Sequence, residues 1–448
     1  MPDDRDRWWL WLGLLCAGAL AVRVGYLFLV HHPLDLGGDP YQYHHGANLL
    51  VDGKGFVEAF AYNLSGELVQ TAQHPPLHYL VLAIPSVLGL GGVLVHQLWT
   101  CLIGTATVAV VALVGRRLSS PRAGLAAAAL AAVYPNLWAF DGTLWAETTS
   151  LLSVALVLLA AYRLWARRSV GAAVALGLAC AVAALARAEA LLLLPLIVVP
   201  MALTQRSLDL RQRVSLVVLP ALAGLALLAP WLAFNAARFD HPVLGTTTSF
   251  PLALVQANCD ATYYGPFVGY YAFACIPSVP MPEADETDRG DYYRQVAVEY
   301  VRANAERVPA VVLARLGRTW GFYRPFDQIK ADIYVESRQP LVAWSGLAAY
   351  YVLVAGAVVG AGVLHRRQVP LSPMVAVVVI VLVAVALTFG QTRYRSSAEV
   401  VLVVLAGVAI DDLLSRHRRL DGVRVPAEVV IGEQGGNVAS GNVPASHR

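Results

Sequence analysis

The chain has 448 residues, of which 57% are hydrophobic and only 14% charged, with a mean hydropathy of +0.57. Such apolar content excludes an ordinary soluble domain and indicates an all-α polytopic membrane protein. A net charge of +3, with no dense Lys/Arg run, gives no support to a nucleic-acid partner.

The opening MPDDRDRWWLWLGLLCAGALAVRVGYLFLV stays apolar to about Val30 and shows no small-residue cleavage site, so it is expected to be a retained first helix. Further runs near 93–115, 123–140, 147–165, 170–186, 188–203, 214–235, 341–364, 371–389 and 396–414 bring the expected spans, with 8–30, to about ten. Basic clusters follow alternate spans: Arg116, Arg117 and Arg122; Arg163, Arg167 and Arg168; Arg206, Arg211 and Arg213; Arg366 and Arg367; Arg416, Arg418 and Arg419. The positive-inside rule puts all of them in the cytoplasm, with both termini inside and the protein in the plasma membrane.

That parity requires HPPLHYLVLAIPSVLGLGG, His74 to Gly92, to lie in the interface instead of crossing. Pro85 and the late glycines that break its apolar stretch agree. The domains expected are a transmembrane core over 1–235 with a long first outer loop at 31–92, an extracytoplasmic insert over 236–340, C-terminal helices over 341–414, and a disordered cytoplasmic tail over 415–448. Within the insert, DYYRQVAVEYVRANAERVPAVVLARLGRTW reads as an amphipathic helix interrupted at Pro309. Cys259 and Cys275 share a tyrosine-rich stretch there, which suits either a disulfide around an aromatic mini-core or ring stacking against a ligand.

The expected topology collects ionisable groups on the outer boundary. Asp39, in LDLGGDPYQYHHGANLLVDGKGF, has two readings: a helix N-cap, with Pro40 in the first turn and Asp52–Gly53 ending the helix, or an oriented general base. Glu147 opens a span and either complements the helix dipole or takes part in chemistry. Arg187 and Arg393 reach the same boundary from other parts of the chain. Acids can deprotonate an acceptor hydroxyl while guanidinium groups hold a phosphate leaving group, so the set suits transfer from a phosphate-linked donor. His44, His45, His74 and His78 share the first loop with Asp39. They read as hydrogen-bonding or interfacial groups, with a divalent ion bridging a carboxylate and a phosphate as the second reading and no metal ligand assigned.

The pieces GGDPYQYHHGANLLVDGKGF, HPPLHYLVLAIPSVLG, VGRRLSSPRAGLAAAALAAVYPNLWAFDGTLWAETTSLLSVAL, LARAEALLLLPL and GQTRYRSSAEVVLVVLAG, in this order, resemble the GT-C superfamily of membrane glycosyltransferases. The similarity is to the branch of the protein O-mannosyltransferases and lipid A aminoarabinose transferases, over residues 8–203 and more loosely 341–414. It implies a GT-C-like bundle with juxtamembrane helices in the first outer loop. It also implies transfer of a sugar, with inversion, from a polyprenyl-phosphate donor to a hydroxyl of a glycan, lipid or protein acceptor at the outer face. By that resemblance Asp39 matches the first-loop acid that acts as general base, and Glu147 stands where relatives usually have Asp. Arg187, Arg393 and Tyr394 fall where the lipid phosphate or its sugar is bound, with His74 in the HPPL piece beside them. The rival from another class is a transporter or lipid flippase, which calls for ionisable sites near the bilayer midplane. The only clear charges within the spans are Arg23, Arg187 and Glu189, and the last two lie near an end.

Overall fold

The computed structural model describes residues 4–31, 36–204, 208–243, 245–278 and 285–422. Apart from one isolated bridge between Val57 and Gln70, regular structure among them is helical. Among the described residues five helices are long and apolar enough to cross a membrane: Asp6–Val30, Val93–Leu118, Glu147–Ala166, Leu210–Ala236 and Pro340–Arg366. Shorter apolar helices, Pro121–Val133, Val170–Ala186, Ala188–Thr204 and Ser372–Leu387, pack among them, and Ser396–Gly422 closes the bundle. This is a multi-pass membrane protein.

Local sequence explains the helix ends. Ser120 precedes Pro121 and its hydroxyl accepts the Ala123 N–H at 3.0 Å; Ser169 caps Val170–Ala186 in the same way, and Asp209 forms a capping box with Gln212. The expected span 123–140 is broken: the helix stops at Val133, and Pro135 starts a separate short helix to Trp138. Proline biases the residue before it to extended backbone, and Tyr134 has ψ 114°. The last helix outruns the expected start of the tail at 415, continuing to Gly422. The remaining tail, 423–448, lies outside the described residues.

The bundle closes on small side chains. The Pro340–Arg366 helix lies against Ser396–Gly422 so tightly that a Cβ on Gly360 would run into the Leu405 carbonyl. Close backbone approach through Gly and Ala is how apolar helices gain contact where no hydrophobic drive separates protein from lipid. Arg23, in the last turn of the first helix, is not an open intramembrane charge: its Nε lies 2.6 Å from Asp141 Oδ2, and both groups are buried. That pair ties the first helix to the loop leading into Glu147.

The first loop contains Gly38–Val51, Ala59–Ser65 and Leu77–Val87. At 11 residues the last spans about 16 Å, too short to cross a bilayer, as its proline and glycines imply. The insert carries Phe250–Ala257, Glu286–Ala303, Val308–Thr319 and Pro325–Val335, with the amphipathic segment interrupted just before Pro309. Cys259 and Cys275 are bridged, beside the buried rings of Tyr263 and Tyr270. The insert is fastened to the first loop: Glu286 accepts from Ala72 N and Thr71 Oγ1 at 2.6 and 2.9 Å, and Arg238 donates to the Thr71 and Phe56 carbonyls at 2.6 and 3.1 Å.

Candidate functional site

Asp39 is the second residue of its helix, yet it does not cap it. Gly37 occupies the cap position, and no side chain accepts an N–H there. The Asp39 carboxylate instead turns to the last part of the chain, with Oδ2 3.3 Å from Arg393 Nη1 and Oδ1 3.8 Å from His74 Nε2. Burial pushes this carboxyl up, but His74, Arg393 and Arg187 together outweigh that cost and hold it below the ordinary carboxylate value. The Tyr43 ring, one turn further along, sits 4.9 Å from the His74 ring and fixes its place.

Glu147 is buried at the first position of its helix, and its Oε1 accepts from Arg187 Nη1 at 2.9 Å. Arg187 ends the Val170–Ala186 helix in extended backbone, φ −150° and ψ 127°, which turns the guanidinium so that its Nε also donates to Glu189 at 2.6 Å. The Tyr394 ring lies between the two arginines, 4.9 Å from the Arg187 guanidinium carbon and 5.6 Å from that of Arg393; Trp145 covers Arg393 at 4.6 Å. Asp39, His74, Glu147, Arg187, Arg393 and Tyr394 therefore form one cluster, drawn from five separate stretches.

Two further groups set its shape. Leu144 is buried with φ +62°, an uncommon conformation for a side chain of that size, and turns the chain between Asp141 and Glu147. His78 braces that turn: Nε2–H donates to the Leu144 carbonyl at 3.1 Å and Nδ1 accepts from Thr149 Oγ1 at 2.7 Å. Burial pushes the His78 pKa down to about 4, so the ring is neutral at pH 7, as this pairing requires. His44 and His96 face each other at 3.0 Å, and His96 also contacts Ser86 at 2.9 Å, so of the first-loop histidines His74 meets Asp39 while His44 and His78 are engaged elsewhere. Among the described residues the one carboxylate group spaced for a cation is Asp240, Asp285 and Asp288, away from this cluster, and Asp285 there caps a helix.

The insert contributes residues for which no sequence signal stood out. Glu336 and Arg338 flank Ser337, whose φ is +51°, and both side chains are buried with Arg338 Nη2 2.6 Å from Glu336 Oε2. No aligned hydrogen bond reaches either Glu336 oxygen. Burial pushes the Glu336 carboxyl up to about 7; Arg338 and Arg393 oppose this, and Asp332 and Glu147 add to it. The insert also holds the 390–395 segment: Gly390 N donates to the Gly269 carbonyl at 2.8 Å, Gln391 Nε2 to the Tyr270 hydroxyl at 3.1 Å, and the Thr392 hydroxyl to Asp332. Gly390 passes so close to the Val308–Thr319 helix that a Cβ would strike the Arg315 carbonyl. Gln391 in turn accepts from Arg393 Nε at 3.2 Å, so insert contacts aim the guanidinium at Asp39.

Residues 73–234 match the family model described as dolichyl-phosphate-mannose-protein mannosyltransferase, a stretch that carries His74, Glu147 and Arg187 but not Asp39 or Arg393. No curated protein sequence matches the chain. The oligosaccharyltransferase of Archaeoglobus fulgidus, tethered to an acceptor peptide containing the NVT sequon, superposes with a TM-score of 0.55 at 16% identity, over 93% of this chain and 51% of that one. The archaeal oligosaccharyltransferase AglB of the same organism, in complex with an inhibitory peptide and a dolichol-phosphate, superposes with a TM-score of 0.54 at 14% identity, over 95% and 53%. ArnT from Cupriavidus metallidurans, bound to undecaprenyl phosphate, gives 0.43 at 16% identity, over 93% and 81%. The chain thus spans about half the length of the archaeal enzyme and has the GT-C fold.

Proposed function

We propose that this GT-C chain is a glycosyltransferase that moves a sugar from a polyprenyl-phosphate donor to an acceptor hydroxyl, with inversion, at the extracytoplasmic face. The observation that supports this most is the Asp39–Arg393 pair, 3.3 Å apart in space and 354 residues apart in sequence, beside the Glu147–Arg187 pair. An ionised acid next to guanidinium groups is what deprotonation at one atom and phosphate departure at another require.

In this reading Asp39 takes the proton of the acceptor hydroxyl, whose oxygen forms a bond to the anomeric carbon. The bond from that carbon to the phosphate oxygen breaks, and the electron pair leaves with the polyprenyl phosphate. Arg393 and Arg187 receive the phosphate charge, with Tyr394 and Trp145 keeping both guanidinium planes oriented. Glu147 and Glu189 hold Arg187 in place, and Glu147 orients the sugar or acceptor. With Glu336 protonated, the carboxylates of Asp39, Glu147 and Glu189 balance the guanidiniums of Arg187, Arg338 and Arg393, so an incoming phosphate meets a site with no excess negative charge. Among the described residues the buried charges within the spans are paired, Arg23 with Asp141 and Glu399 with Arg395, which gives no support to the transporter reading. The orientation supported by the arginine clusters puts both termini in the cytoplasm and this cluster outside.

The test compares glycolipids and envelope glycans by mass spectrometry in cells carrying the wild-type chain, Asp39→Asn, or none. One sugar-bearing species should be present with the wild type and missing from the other two. An identical profile in all three, with the variant made at wild-type level, rejects the reading.

A further inference from the structure

At the opposite end of the bundle lies a cavity of about 680 Å³, within the usual size of ligand pockets. It opens between the last turns of Val93–Leu118 and Glu147–Ala166 and the connection from Pro340–Arg366 to Ser372–Leu387. Glu147 opens the 20-residue helix whose other end forms this wall, so the cavity stands about 30 Å from the acid cluster, at the level of the other membrane surface.

Its lining is divided in character. Leu113, Leu159 and Trp165 form an apolar floor, and Arg116 and Arg117 border it. Arg117 Nε donates to the Tyr162 carbonyl at 3.2 Å, and the Arg116 guanidinium lies 4.2 Å over the Trp8 ring, so both are fixed in direction. The charged groups acting on Arg117 are Arg167 and Arg163, which repel it. No carboxylate lines the cavity. The acids nearby are used elsewhere, Asp412 by Arg367 and Arg416 and Asp411 by Ser119 and Ser120. Among the described residues, none of Arg116, Arg117, Arg163 and Arg167 has an ion-pair partner in the protein. The positive-inside bias accounts for arginines at this end, but not for a cavity that joins two of them, Arg116 and Arg117, to apolar side chains.

We propose that this cavity is a binding site for an anionic glycerophospholipid, with the phosphodiester between Arg116 and Arg117 and an acyl chain along Leu113 and Leu159. Basic pockets between membrane helices at headgroup level select anionic lipids, because the phosphate supplies the missing counter-charge while the tail covers apolar side chains. A free phosphate shares the charge but leaves the floor uncovered.

The full-length protein is reconstituted in phosphatidylcholine nanodiscs with or without phosphatidylglycerol, and in phosphatidylcholine alone with inorganic phosphate added. Phosphatidylglycerol should raise the wild-type unfolding midpoint by about 2–4 °C. That rise should be absent in Arg116→Gln/Arg117→Gln and in Leu113→Trp, which fills the floor and leaves the charges. An equal rise in the variants overturns the site, and an equal rise from inorganic phosphate overturns the lipid as ligand. If the double variant does not fold, native mass spectrometry of the wild type from mixed lipid decides: preferential retention of phosphatidylglycerol supports the site, and equal retention of both lipids rejects it.

Discussion

Replacing Asp39 by Asn separates a chemical role from a fastening one. The substitution keeps the shape and leaves an oxygen facing Arg393, but removes the charge and the ability to take a proton. The Asp39 side chain is 34% exposed and its ion contacts are 3.3 and 3.8 Å. A partly exposed pair of this kind contributes about 0–1 kcal/mol, so a residue that only fastens the loop permits at most about a fivefold fall in kcat/KM. A general base contributes roughly 10²–10⁴-fold. The assay is the initial rate of sugar transfer by the purified protein in nanodiscs, using polyprenyl-phosphate sugars extracted from host membranes, with the unfolding midpoint measured in parallel. The pH dependence gives a second reading. Because the Asp39 pKa is lowered in the fold, the base stays ionised through the neutral range, and its share of activity and of stability is lost only as pH falls through that lowered value, in strong acid. A variant that folds normally and keeps its rate within fivefold refutes Asp39 as the base.

Arg393→Lys retains a charge but loses the planar fork, and the KM for the lipid donor should rise about tenfold with a smaller change in kcat; an unchanged KM rejects a phosphate contact. Glu336 ionises near pH 7 next to Arg393, adding a negative charge where a phosphate would bind. Donor KM should therefore increase as pH rises through 7, and Glu336→Gln should abolish that increase; a pH-independent wild-type KM counts against Glu336 facing the donor. Gly390→Ala forces a methyl into the Arg315 carbonyl, so stability should fall by about 1–3 kcal/mol and activity with it, as Arg393 is displaced. A midpoint and rate equal to wild type would show that the two segments do not approach so closely.

Much of this architecture was legible because apolar length and arginine placement report directly on burial in lipid. Parity alone put Asp39, Glu147, Arg187 and Arg393 at one boundary, and their meeting follows once the helices pack. The cap, one of the two readings of Asp39, is a different matter. The local pattern Asp-Pro suits a cap, but Gly37 takes that position and the carboxylate is captured by an arginine 354 residues away, a competition no local window contains. Glu336, Arg338 and Trp145 escaped notice for a related reason. Their directions depend on Ser337 and Leu144 holding positive φ, imposed by surrounding packing, while YVESRQP and GTLWAE carry no glycine at those positions to announce it. The expected span 123–140 runs through Pro135 because the apolar run continues on both sides of the break.

The placing of Arg393 just before the final helix orders events during biosynthesis. At about 5–20 residues per second, the ribosome delivers Arg393 roughly 20–70 s after Asp39 has emerged. Until then the acid lacks the guanidinium that contacts it, and a half-inserted chain carries Arg187 without Arg393. On the proposed reading the pair is therefore complete only once the segment before the last helix has been made.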